Sequence, residues 1–144
     1  MIAVDTNLLV YAHRRDSPWH DGARRALAKL AEGRTPWAIP WPCLHELYAI
    51  VTHPRIYTPP STSAQAITQI EIWLEAPSLL LLAESEAYWG ELEPLLRAGR
   101  IAGPKVHDAR LFALCRAHGV SELWTADRDF DRFKGLKLHN PLLA

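Results

Sequence analysis

The chain has 144 residues, 49% hydrophobic and 22% charged, the profile of a soluble globular protein with a core of its own. Sixteen basic residues balance sixteen acidic ones, so no global positive charge marks the chain as a nucleic-acid binder. No apolar run approaches the ~20 residues of a membrane helix, and Cys43 and Cys115, with no CxxC, argue against a zinc knuckle or disulfide scaffold.

In chain order, MIAV reads as a short buried strand rather than a secretory leader. TNLLVYAH then opens a helix that Thr6 or Asn7 can cap. A second helix starts at Ser17 and Pro18, turns Ala23, Leu27 and Leu30 to one face, and stops at Gly33. WAIP is a strand, and a helix bounded by Pro42 and Pro54 follows it, with Leu44, Leu47, Tyr48 and Val51 on one face. After a loop, AQAITQIEIWLEA is helical with Ile67, Ile70 and Leu74 inward, and LLLL (79–82) is a third buried strand. The next helix takes Ser85 as its cap and Gly99 as its stop, with a break or kink expected at Pro94. KVHDARLFALCRAHG is a further helix, ELWTA a fourth strand, DRDFDRF a turn or short helix, and LKLH an edge strand. Short apolar strands alternating with helices indicate a single α/β domain, 1–144, whose short parallel sheet carries helices on both faces. A reducing cytoplasm is the expected setting.

That plan gives four scattered acids a common place. Asp5 and Asp127 follow apolar strands, while Glu46 and Asp108 fall early in helices that follow strands or loops. Ligands of open parallel sheets bind outside the carboxyl ends of the strands. Four carboxylates gathered there would repel one another unless a hard divalent cation held them, and all-oxygen ligation suits Mg²⁺ or Mn²⁺. The matching chemistry is phosphodiester hydrolysis by a metal-activated water, with one acid as general base. Each acid also has a plainer role: Asp5 as a helix cap, Asp108 as a first-turn dipole partner, Glu46 and Asp127 as solvated side chains. Asp129 and Asp131 read as surface residues. With the four acids set aside, sixteen bases face twelve acids. Arg14, Arg15, Lys105, Arg110, Arg128 and Arg132 lie near the acids in sequence and are candidates to meet phosphates.

The ordered set VDTNLLVYA, ELYAIVTHP, HDARLFALCRAHG and LWTADRDFDRF, closed by LHNPL, resembles PIN-domain ribonucleases, in particular the VapC-type toxins of bacterial toxin–antitoxin pairs. The resemblance runs from end to end and implies one PIN domain. It implies that Asp5, Glu46, Asp108 and Asp127 are the catalytic, metal-holding quartet, Asp5 and Asp108 foremost. Asn7 and Thr125 would orient carboxylates or water. It implies an endoribonuclease dependent on Mg²⁺ or Mn²⁺, with an RNA substrate and a small cognate antitoxin, in a homodimer or a toxin–antitoxin hetero-oligomer. An RNA-processing nuclease without an antitoxin, or a catalytically silent PIN-like binding domain, are the alternatives. Residues 55–100 carry no motif of the family, and His107 is expected to be a structural or rim residue.

Other chemistries find no support. His45-Glu46 lacks the second histidine of HExxH, because position 49 is Ala. GxSxG, GxGxxG and Walker loops are missing, and the two cysteines read as buried small hydrophobes. Of six tryptophans, Trp37, Trp73 and Trp124 fall in core patterns. Packing is also expected for Trp19 and Trp41, with base or partner stacking as the alternative.

Overall fold

Five strands form one parallel sheet in a computed structural model that describes residues 1–143. They are β1 (Ile2–Val4), β2 (Trp37–Pro40), β3 (Leu79–Leu82), β4 (Glu122–Trp124) and β5 (Lys137–His139), ordered β3-β2-β1-β4-β5. The helices are α1 (Thr6–His13), α2 (His20–Glu32), α3 (Trp41–Val51), α4 (Ser63–Leu74), α5 (Tyr88–Gly99) and α6 (Val106–Ala117). Short 3₁₀ turns cover Gly103–Lys105 and Arg128–Arg132. α1 packs on α2 and α3, α5 packs on α6, and helices flank both faces of the sheet. Trp37, Ile39, Leu8, Leu9, Phe112 and Leu123 are among the fully buried side chains.

The chain runs outward from β1 through β2 to β3, then returns to the far side of β1 for β4 and β5. The winding direction therefore reverses between β1 and β4, the place where open parallel sheets form a ligand crevice. Register pairs Val4 with Trp124, and the Asp5 N–H donates to the Trp124 carbonyl at 3.0 Å. Asp5 and Thr125 thus leave the sheet side by side.

Several local expectations change. Asp5 itself caps α1, accepting from the Thr6 N–H at 2.7 Å, so Thr6 and Asn7 lie inside the helix. α2 begins at His20, three residues later than Ser17, whose hydroxyl accepts from the Trp19 N–H instead. α4 buries Ala66 and Trp73, with Ile70 partly buried, and leaves Ile67 and Leu74 outside. Both stripes have helical spacing, and the larger Trp73 takes the inner one. LLLL is an edge strand in which only Leu82 of the four is fully buried, because among the described residues no strand pairs beyond β3. α5 continues through Pro94 and starts at Tyr88, so Ser85 gives it no side-chain cap. Trp19 and Trp41 stand 50% and 37% exposed, against the expectation of packing, whereas Trp37, Trp73 and Trp124 are core.

Candidate active site

The reversal point holds a cleft of about 450 Å³. Asp5, Glu46, Asp108 and Asp127 all line it, from β1, α3, α6 and the segment after β4. Sheet order explains the meeting: β1 stands between β2, which delivers α3, and β4, which delivers Asp127.

Asp5 is buried, at 6% exposure. Its Oδ1 takes the Thr6 N–H, and its Oδ2 accepts from the Thr125 hydroxyl at 2.7 Å and from Asn7 Nδ2 at 3.3 Å. Despite these bonds, burial pushes the Asp5 carboxyl up to about 6, with the charges of Glu46 and Asp127 adding to the rise. Thr125 is the node of the network. Its Oγ1 also accepts from Asn7 Nδ2 at 3.3 Å and from the Asp127 N–H at 3.0 Å. The Asn7 side-chain oxygen in turn accepts from the Ala126 N–H at 3.2 Å. One short side-chain set therefore ties α1, β4 and Asp127 together. The Asp127 carboxylate caps the following 3₁₀ turn through the Asp129 N–H at 2.8 Å.

Glu46 lies on the exposed face of α3, where Thr6 Oγ1 donates to its Oε2 at 2.8 Å. Thr6, which the sequence suggests only as a cap, thus also holds Glu46, and its place next to Asp5 is the signal for that role. Asp108 sits in the first turn of α6, and Arg132 donates to its Oδ2 at 3.2 Å. Partial burial and the neighbouring Asp127 raise the Asp108 carboxyl above its usual range, opposed by Arg132. Asp129 stays exposed; its backbone N–H bonds Asp127, and its charge adds to the rise of the Asp108 carboxyl. The Cys43 thiol lies 4.0 Å from Asp5 Oδ1 and is fully buried, which pushes its ionisation far up and leaves no thiolate nucleophile. His107 is exposed on the cleft rim.

The nearby bases behave unevenly. Arg110 lines the cleft but pairs with Glu84 at 3.1 Å. Lys105 and Arg128 share a shallow depression with Asp108, Asp129, Asp131 and Arg132. Arg14 and Arg15 are close to Asp5 in sequence only, because α1 carries them to its other end.

The residues fit a hard divalent cation by donor type and by charge. All four acids offer oxygen, and a cation would offset the burial and repulsion that lift Asp5. Among the described residues no three His, Cys, Asp or Glu side chains stand as a closed metal cage. Mg²⁺ is commonly held through one or two carboxylates with its waters retained, so an open arrangement of this kind is compatible with it.

The PIN-domain family profile matches residues 2–136, which includes every residue of the cleft. The chain belongs to the PIN-domain family. Within this PIN family it is 31% identical over 137 residues to ribonuclease VapC48 of Mycobacterium tuberculosis, covering 95% of this chain and 94% of that protein. It is 35% identical over 145 residues to ribonuclease VapC24 of the same organism, covering 100% and 99%. Among solved structures, VapBC2 from Rickettsia felis, bound to a DNA fragment from its promoter, superimposes with a TM-score of 0.68 at 26% identity. The match covers 97% of this chain and 98% of that one. The PIN domain seen here thus keeps the expected parallel sheet, and its relatives are named ribonucleases.

Proposed function

We propose that this PIN domain is an endoribonuclease dependent on Mg²⁺ or Mn²⁺ and the toxin of a VapBC-type toxin–antitoxin pair. The observation that carries the reading is the buried Asp5 at the β1–β4 reversal, facing three further acids across one cleft. The ribonuclease names of its relatives support RNA as the substrate. The VapBC2 complex supports an antitoxin as partner; the family resemblance adds that it is small and that the assembly is a homodimer or a toxin–antitoxin hetero-oligomer.

Asp5 and Asp108 would hold the cation, with Glu46 and Asp127 completing the oxygen set. When bound, the cation compensates the clustered charge and acidifies a water for attack on the phosphodiester. The chain's own contribution is positioning. Thr125 and Asn7 fix Asp5 against rotation, and the Thr125 hydroxyl places Asp127 through its backbone. Thr6 pins Oε2 of Glu46, a cleft-lining acid that could take a proton from an attacking water.

The test is cleavage of purified RNA with Mn²⁺ or Mg²⁺. Expected products carry 5′-phosphates, and both a chelator and Asp5→Asn should stop their formation. A well-folded Asp5→Asn protein that cuts as fast as the parent overturns the assignment.

A further inference from the structure

A second and wider groove, about 930 Å³, lies at the opposite end of α1 from Asp5, between the α1–α2 connection and α4. Building on the ribonuclease reading above, we propose that it docks the phosphate backbone of the RNA whose scissile bond occupies the acidic cleft.

The argument starts from where usable positive charge lies. In the cleft, Arg110 is engaged by Glu84, and beside it Arg132 is engaged by Asp108. The exposed Lys105 and Arg128 share their depression with three acids, Asp108, Asp129 and Asp131, so carboxylates outnumber uncommitted cations there. The groove is the reverse. Its one acid, Asp16, is taken up by Arg14 through two hydrogen bonds of 2.9 and 2.6 Å, and the Arg14 guanidinium rests 4.2 Å above the Tyr57 ring. That leaves Arg15 and Arg24, both exposed and without an ion pair among the described residues. The facing wall, on α4, presents Gln65, Thr68 and Gln69, which can hydrogen-bond phosphate oxygens and bring no negative charge.

The two sites are joined by one rigid element. α1 has eight residues, about 12 Å of helix at 1.5 Å per residue. A polyanion repelled by carboxylates at one end of α1 therefore meets exposed arginines and neutral donors at the other. RNA is the ligand that the acidic cleft already takes under the proposed function, so a single strand accounts for both sites. An acidic peptide is the competing occupant.

Binding of fluorescently labelled single-stranded RNA to the Asp5→Asn protein, across a salt series, tests this without cleavage. Arg15→Gln with Arg24→Gln should weaken binding roughly tenfold near 0.1 M salt. The slope of log affinity against log salt should drop by about 1.4, the value for two single-strand phosphate contacts. The control pair Arg34→Gln and Arg100→Gln removes the same charge outside the groove and should leave binding within about twofold of the parent. Unchanged RNA affinity, or an equal loss in the control, overturns the proposal. So does a groove variant that loses an acidic peptide and keeps RNA. If the parent binds no RNA under any salt, the ribonuclease reading itself falls.

Discussion

The two walls of the cleft hold their acids in different ways. On the sheet side, Asp5 is buried and takes three hydrogen bonds from groups anchored in α1 and β4. On the α6 side, Asp108 is held by one long side chain, Arg132, with both partners about a third exposed (34% for Arg132, 32% for Asp108). The sheet wall is preorganised and keeps a charge where burial disfavours it. The α6 wall is adjustable and close to water. A hydrolytic site needs both: a fixed point to place the phosphate and a flexible rim to admit and release it.

Mutations on the sheet wall should therefore be the severe ones. Asp5→Asn is expected to reduce cleavage on the order of a thousandfold or more, read from single-turnover rates. Asp5 also sets a pH signature. Its carboxyl rises from an ordinary ~3.9 to about 6, so the native state binds protons more tightly than the unfolded chain. Stability consequently falls as pH rises through the window from about 4 to 6, by up to roughly 3 kcal/mol at 1.36 kcal/mol per unit. Denaturant titrations of the metal-free protein should show this decline, and Asp5→Asn should flatten it. A decline of the same size in Asp5→Asn would place its source elsewhere. Mn²⁺ should restore stability at pH 7.5, by about 2.7 kcal/mol at a hundredfold excess over Kd, and should do so weakly at pH 5, where Asp5 is protonated.

Thr125→Val probes the same wall one step back. It removes the hydroxyl that bonds Asp5 and accepts from Asn7 and the Asp127 N–H. Leaving those partners unpaired should destabilise the fold by about 1–3 kcal/mol. The pH decline should move upward at the same time, because the Thr125 bond does more than the Thr6 N–H to hold the Asp5 carboxyl down. A variant that is less stable but keeps the parent pH profile would mean that Thr125 acts on packing alone.

The sheet wall was also the more legible in the sequence. The short runs IAV before Asp5 and LWTA before Asp127 mark strand ends, and alternation of strands with helices places such ends together. Asn7 and Thr125 are visible as supporting groups only through the family resemblance, which implies that they orient carboxylates or water. What stayed hidden depends on three-dimensional placement. Arg14 and Arg15 look adjacent to Asp5, yet a single helix removes them from it. Arg132 looks like a free phosphate contact, yet the 3₁₀ turn at 128–132 folds it back onto Asp108. On α4, two apolar stripes had equal spacing, and periodicity alone could not tell that Trp73 would claim the core over Ile67 and Leu74.

The smallest effect belongs to the α6 wall. Arg132→Gln removes the partner of Asp108, but an ion pair this exposed contributes at most about 1 kcal/mol, and the melting temperature should barely move. The kinetic consequence depends on what Arg132 does for Asp108. As a mere tether for a rim carboxylate, its loss should change cleavage less than tenfold, and most of the change should vanish at saturating Mn²⁺. Arg132 also lowers the Asp108 carboxyl against burial and Asp127, so the variant should need a higher pH or more metal to reach half-maximal rate. A loss as deep as that of Asp5→Asn, unrelieved by Mn²⁺, would show that the α6 wall is as preorganised as the sheet wall and would erase the contrast between them.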